Sequence, residues 1–495
     1  MAILEDLLAH PTLLLPTLLL LLLLLLLLII PKIYNAVYDP IPGPLICRLT
    51  PFWTYYHSIL GDESTQITTL HEKYGPIIRI SPYEIVISEG EALGPIYSEK
   101  GGGFLKAPCY KNFDFEGVET IFSTLSPRDR ARRSKAVMPL FSTGKLVREG
   151  KGVLERCAGR FVGRLQDFKD EGKKRVDVLD LARGFAIDAV CGYLFGCDYG
   201  GLKEEREEEG MSATGYVDSI VNLGRFFFLP PWLFRIVSTV HAWLQGKDSG
   251  IDGSTESVEG FTAPLVKEAV EGQGTEGTYQ SRLLKAGISE HETDVQMKDV
   301  IFAGTDTSAM NLAMIVWNLV KYPECYKKLQ AEILEAEQRD PSYNPQSLSY
   351  LDGVIREGLR TSLANATRFP RQVPPSGFTY QARDGQSYFL PGGTLVGMQP
   401  FTLHFNPEIF PDPCAFKPER WSNATPAMLR DFIPFGLGPR QCIARNLAMM
   451  ELAFAVRALG RGNVLEGAEV MEGKIEVMEW FNSKVVGGKI EVEWK

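Results

Sequence analysis

The chain holds no CxxC pair and no cysteine–histidine cluster at zinc-site spacing, which excludes the common structural zinc modules. Its eight cysteines are scattered across 495 residues, too sparse for a disulfide scaffold, so a reducing compartment suits it. A basic excess is missing as well. The 52 Lys and Arg face 61 Asp and Glu, a formal net charge of −9, which argues against a nucleic-acid partner. The basic knot RDRARRSK (128–135) and the acidic run KEEREEE (203–209) are each solvated faces by default. No GxGxxG follows a strand-like run, so no flavin or NADPH site is built in. Neither an internal repeat nor a linker occurs beyond residue 45, and 45–495 reads as one large domain.

Leucine, by contrast, is concentrated at one end. LLLPTLLLLLLLLLLLII (13–30) is an uncharged run of 18 residues. A bilayer core of roughly 30 Å needs about 20 apolar residues, so the expectation is a single N-terminal transmembrane helix within 1–31. Glu5 and Asp6 precede the run while Lys32 and Arg48 follow it, which sets the body of the protein on the cytosolic side. DPIPGP (39–44) then reads as a stiff, extended element, giving a proline-rich hinge over 32–44.

Beyond the hinge, 144–168 and 323–338 carry apolar residues at helical spacing. Strand-like pieces gather at 76–88, at 378–399 and in the C-terminal KIEVMEW and KIEVEW. The expected fold class is therefore mainly α with a smaller β portion. Glycine-rich stretches at 246–260 and 271–278 read as long loops. RFFFLPPWLFRI (225–236) is either ordinary core or a surface segment that dips into a membrane beside a substrate entrance.

FGLGPRQCIA (435–444) places Cys442 after two glycines and an arginine, directly before a helical run. A cysteine ligates metal as the thiolate, which needs positive potential and hydrogen-bond donors. Gly436 and Gly438 allow main-chain amides to approach the sulfur, and the dipole of the following helix favours its charge. Taken alone, a buried structural cysteine fits as well. AGTDTS (303–308) sets Asp306 and Thr307 inside an otherwise apolar helix, where a buried acid and hydroxyl need partners. In isolation these are met by an arginine for Asp306 and by a carbonyl one turn back for Thr307. EGLR puts Glu357 and Arg360 on one helix face, ordinarily a weak ion pair.

Together these stretches resemble the cytochrome P-450 family. FGLGPRQCIA is similar to its haem-binding loop, with Phe435, Gly438, Arg440, Cys442 and Ala444 in the motif positions. The resemblance implies that Cys442 is the axial ligand of haem b iron and that its thiolate favours O–O cleavage. Phe435 would lie against the ring and Arg440 would pair with one of its acidic groups. It further implies that Asp306 and Thr307 are the acid–alcohol pair that feeds protons to dioxygen, with Ala303 and Gly304 leaving a groove there. Arg420 in FKPERW (416–421) would close a structural Glu357–Arg360–Arg420 network. SPRDRARRSKAVMPLFS (126–142) matches the helix that crosses the haem propionates, and its two motif places fall on Arg130 and Ser134. Serine cannot neutralise a propionate, so Arg130, Arg133, Lys135 and Arg371 stand as alternatives. His404, Asn406, Pro407 and Phe410 follow the family's loop pattern, and His404 reads as a packing residue rather than a ligand.

The function so implied is a membrane-anchored haem-thiolate monooxygenase of a fungal, microsomal type. It would sit in the endoplasmic reticulum membrane and oxidise a lipophilic small molecule in secondary metabolism. NADPH would act only through a membrane-bound reductase, with cytochrome b5 as a second electron donor. Substrate choice is expected in 101–120, 210–240 and 363–370. A haem-thiolate isomerase or dehydratase, and a non-catalytic haem protein, are the alternatives; the acid–alcohol pair argues against the first.

Overall fold

The computed structural model describes residues 39–98, 103–172, 175–204, 210–245 and 249–494, with Pro16, Leu19 and Leu23. Apart from those three residues, the expected anchor lies outside the described residues, as does most of the hinge. Helices dominate: α1 (Pro127–Val137), α2 (Lys151–Asp170), α3 (Val178–Leu194), α4 (Pro231–Gln245), α5 (Ser249–Val270), α6 (Glu290–Lys321), α7 (Pro323–Arg339), α8 (Ser349–Thr361) and α9 (Arg445–Gly462). The expected helices at 144–168 and 323–338 appear as α2, entered through a short π-turn, and α7.

The central helix is α6. Ser289 caps it by accepting from the Glu292 amide at 3.2 Å, and Glu290 and Glu292 favour its positive end. It ends at Tyr322, the residue before Pro323, which resists helical backbone. Its middle is apolar on every side because α3 lies along it and α5, α8 and α9 pack around it. Among the described residues it is the single helix long and apolar enough to cross a membrane, and it is a buried core helix.

The main sheet contains β1 (Ile77–Ser81), β2 (Glu84–Ile87), β3 (Leu105–Lys106), β4 (Arg371–Gln372) and β5 (Leu395–Gly397), in the spatial order β1-β2-β5-β4-β3. β1 and β2, the strand-like pieces expected at 76–88, form an antiparallel hairpin, and β5 joins β2 in parallel. The remaining expected strand regions form small antiparallel pairs and a three-stranded sheet. Register across β3 and β4 sets Lys106 opposite Arg371, a pairing with consequences for the site.

One expectation is corrected. The stretch 246–260 is not a loop in its described part, because α5 begins at Ser249 and runs through Gly253, Gly260 and Pro264. Val258, Thr262 and Val266 are buried in the helix cluster, and that burial outweighs poor helix propensity. By contrast, 271–278 has no helix or strand, as expected. The aromatic stretch 225–236 divides in two. Phe227, Phe228 and Leu229 are core, whereas α4 exposes Trp232, Ile236, Val240 and Trp243 along one stripe.

Candidate active site

The 435–444 loop is folded around its cysteine. The Cys442 amide donates to the Phe435 carbonyl at 2.9 Å and the Gln441 amide to the Gly438 carbonyl at 3.0 Å. Gly438 adopts φ +72°, and a Cβ there would lie 1.8 Å from the Tyr97 carbonyl oxygen, so no side chain fits. Burial pushes the Cys442 thiol up to about 11, while the amides of Ala444 and Arg445 at the start of α9 pull the other way. Cys442 is exposed, and the space it faces is a cavity of about 290 Å³.

Across that cavity runs α6, with Ala303, Gly304 and Thr307 in its wall. The groove expected from two small residues has two causes. Ala303 is exposed to the cavity, whereas a Cβ on Gly304 would come within 2.7 Å of the Val190 methyl on α3. Gly304 therefore serves the close approach of α3 and α6.

Asp306 and Thr307 both find the partners that a buried acid and hydroxyl require. The Thr307 hydroxyl donates to the Ala303 carbonyl at 2.8 Å. Asp306 Oδ1 accepts from Arg183 Nη2 at 3.1 Å, and the same nitrogen meets Asp218 at 2.8 Å. Burial raises the Asp306 carboxyl despite Arg183 and a hydrogen bond from Asn482. Thr307 and Asn482 line the cavity while Asp306 stands behind them.

Cations collect on another wall. Arg440 donates to the Thr124 and Leu125 carbonyls at 2.8 and 2.7 Å. Arg371 donates to the Tyr110 hydroxyl at 3.1 Å. Lys106 Nζ donates to the Phe122 carbonyl at 2.6 Å and lies over the Tyr110 and Phe122 rings. Arg130 lines the cavity, and its side chain has no hydrogen-bond or ion-pair partner among the described residues. None of the four has a carboxylate within ion-pairing distance among those residues, in contrast to Arg183 and Arg360. Burial, then Arg371, Arg440 and Arg130, hold Lys106 well below the usual lysine range; burial, then Arg130 and Arg371, bring Arg440 down to about 10.

Four unpaired cations on one enclosed wall are costly without an anionic ligand. A flat dianion with a metal centre over Cys442 fits this donor set, and the haem propionates supply such a dianion. Of the alternatives to Ser134, Arg130 and Arg371 reach the cavity. Arg133 is committed to Glu292 at 2.5 Å, Lys135 is exposed, and Ser134 itself is buried outside the lining.

Phe435 also lines the cavity. Glu357 and Arg360 are completely buried and joined at 2.7 and 3.0 Å. Arg420 Nε and Trp421 Nε1 donate to the same carboxylate, each at 3.0 Å. Arg360 continues to the carbonyls of His404 and Pro413, and His404 Nε2 accepts the Ile433 amide at 3.0 Å. The network thus ties the 404–421 loop to the segment that leads into Cys442, and His404 is a hydrogen-bonded packing residue.

Lys106, Asp299, Glu451 and Asn482 also line the cavity, and no sequence motif marks them. Glu451 Oε2 accepts from Ser308 at 2.8 Å, its other oxygen has no partner among the described residues, and burial lifts the carboxyl to about 7. Asp299, eight residues before Thr307, was visible only as another acid on the central helix.

Comparison with known proteins agrees with this geometry. The family model described as Cytochrome P450 matches residues 42–459. The chain is 37% identical over 490 residues to cytochrome P450 monooxygenase mfmF of Annulohypoxylon moriforme, covering 94% of this chain and 96% of that one. It is 29% identical over 469 residues to cytochrome P450 monooxygenase oblB of Emericella variicolor, covering 87% and 83%. With cytochrome P450 monooxygenase sdnE of Sordaria araneosa it shares 26% over 492 residues, covering 91% and 92%. The chain belongs to the cytochrome P450 family. It is a haem-iron monooxygenase, an oxidoreductase.

Proposed function

We propose that this chain is a membrane-anchored haem-thiolate monooxygenase of fungal secondary metabolism that hydroxylates a lipophilic small molecule. In this reading 1–31 is the anchor, 32–44 the hinge and 45–495 the catalytic domain. The observation that carries it is Cys442 facing Thr307 across a cavity with an unpaired cationic wall. Bound haem b would supply activation of dioxygen and insertion of one oxygen atom into a carbon–hydrogen bond.

The chain's own residues do the rest. Cys442 would hold the iron, with the Ala444 and Arg445 amides favouring the thiolate. Arg130, Arg371 and Arg440 would hold the propionates, and Phe435 would lie against the ring. The Thr307 hydroxyl turns from Ala303 into the cavity, a change between the two rotamers threonine favours in a helix. Asp306 passes protons inward by exchanging between Arg183 and Asn482, and Asp218, which shares the same Arg183 nitrogen and is half-exposed, meets solvent. Glu357, Arg360 and Arg420 position the loop and touch no reacting atom.

The remaining assignments are to the endoplasmic reticulum membrane, with the domain in the cytosol and electrons from an NADPH-dependent reductase and cytochrome b5. Support for membrane contact comes from two exposed apolar sets. One is the α4 stripe ending in Trp243, which is 78% exposed; the other is Leu45, Ile46, Phe52 and Tyr56, just after the hinge. The Ser58 hydroxyl donates to the Arg225 carbonyl at 3.1 Å, which ties the segment bearing Phe52 and Tyr56 to the stretch that leads into α4. The deciding experiment is the reduced carbon monoxide difference spectrum of wild type and Cys442→Ser. A strongly red-shifted Soret band lost in the variant supports the reading; a nitrogen-ligated spectrum in the wild type ends it.

A further inference from the structure

Asp299 lies in the cavity wall, buried to 7% exposure, and among the described residues no cation is within ion-pairing distance of it. Tyr110, Phe113, Phe122 and Phe481 line the same cavity. The Thr120 hydroxyl bonds to its carboxyl, and burial lifts that carboxyl to about 7. A buried acid with so little compensation is costly unless a ligand completes it.

Helix geometry adds a distance. Asp299, Ala303 and Thr307 are four residues apart and so share one face of α6. Eight residues at 1.5 Å each put Asp299 about 12 Å along the axis from Thr307. The reacting carbon belongs near Thr307, so an acceptor stands one small-molecule length away from it.

We infer that Asp299 anchors the substrate, and that the substrate is a lipophilic alcohol or phenol whose hydroxyl is on the order of 10 Å from the carbon that is oxidised. The donor is a neutral hydroxyl rather than an ammonium because Lys106, Arg130, Arg371 and Arg440 line the same cavity and oppose a further cation. Lys106 does not itself take the place: its Nζ donates to the Phe122 carbonyl and lies over two rings, and no ion pair joins it to Asp299. This inference rests on the monooxygenase reading and assigns the remote end of the pocket.

The test uses the full-length holoenzyme, first checked for the thiolate signature with carbon monoxide, so a missing signature faults the monooxygenase reading alone. Decanol, decyl methyl ether and decylammonium are then titrated against the Soret band in wild type, Asp299→Ala and Asp299→Asn. Decanol should bind wild type about tenfold or more tightly than the ether, as expected for a hydrogen bond to a charged acceptor. Asp299→Ala should lose that margin, Asp299→Asn should keep part of it, and ether binding should not change. Equal binding of decanol and ether by wild type overturns the inference, as does a margin that survives in Asp299→Ala. Tighter Asp299-dependent binding of decylammonium overturns the assignment to a hydroxyl.

Discussion

The Thr307 hydroxyl donates to the Ala303 carbonyl at 2.8 Å, so its proton is directed along α6 and not into the cavity. Proton delivery requires that bond to break, and its loss is cheap because a hydroxyl net contributes only about 1 kcal/mol. Thr307→Ala removes the donor altogether, while Thr307→Ser keeps it. The expected result is a fall of about tenfold or more in product formed per NADPH consumed for the alanine variant. The serine variant stays near wild type. Equal coupling in all three proteins would remove Thr307 from the proton path.

Lys106 and Arg371 are opposed residues of β3 and β4, and Lys106 adds a cation on the wall where Ser134 offers none. Replacing it by methionine preserves the stem that packs on Tyr110 and Phe122 and deletes the charge. Loss of one charge-assisted contact of about 1.5–3 kcal/mol corresponds to haem leaving roughly 10- to 100-fold faster. Transfer of haem to an excess of apomyoglobin measures this directly, and Lys106→Arg should restore most of the retention. Unchanged transfer in Lys106→Met would confine Lys106 to packing.

Sequence carries this site where neighbours in the chain are neighbours in the site. The 435–444 loop, the Asp306–Thr307 pair and the Glu357–Arg360 pair are each built within a few residues, and their spacing alone states their geometry. Lys106 is different: it belongs to a two-residue strand brought beside Arg371 by pairing across 265 positions of chain (371 − 106), which no local pattern announces. Arg133 shows the converse, since a suitable charge at a suitable spacing is claimed by Glu292 on α6. The helix α5 was hidden by composition; its glycines and Pro264 argue for a loop, and burial of Val258 and Val266 overrules them.

Glu357 bonds Arg360, Arg420, Trp421 and the Lys417 amide from full burial. Glu357→Ala therefore leaves two guanidinium groups without their shared anion. Breaking one side of a buried pair costs about 3–5 kcal/mol, a large part of the roughly 5–15 kcal/mol that holds a domain together. The variant should accumulate as haem-free or insoluble protein, while Glu357→Gln, which still accepts hydrogen bonds, should be milder. A Glu357→Ala protein that melts at the wild-type temperature would show that the network is dispensable.

His404 connects this network to acid stability. Burial first, then Arg360, lowers its imidazole from the ordinary 6.5 to about 3, and burial lowers His71 to about 4. Both are neutral in the folded protein, and Nε2 of His404 must stay unprotonated to accept the Ile433 amide. The unfolded chain takes up these protons near 6.5, well before the folded one. Between those values the unfolded state binds more protons, so their contribution is complete above 6.5 and falls as the solution is acidified toward 3. A buried acid with the opposite shift, Glu451 lifted to about 7, tilts the total the other way, so the comparison must isolate one histidine. His404→Gln keeps an acceptor for Ile433 and cannot titrate. Urea midpoints measured from neutral pH down to about pH 5 should therefore fall more steeply for wild type than for His404→Gln, by up to about 1.4 kcal/mol for each pH unit. Parallel profiles would mean that His404 is protonated in the fold and that its bond to Ile433 is not the one described.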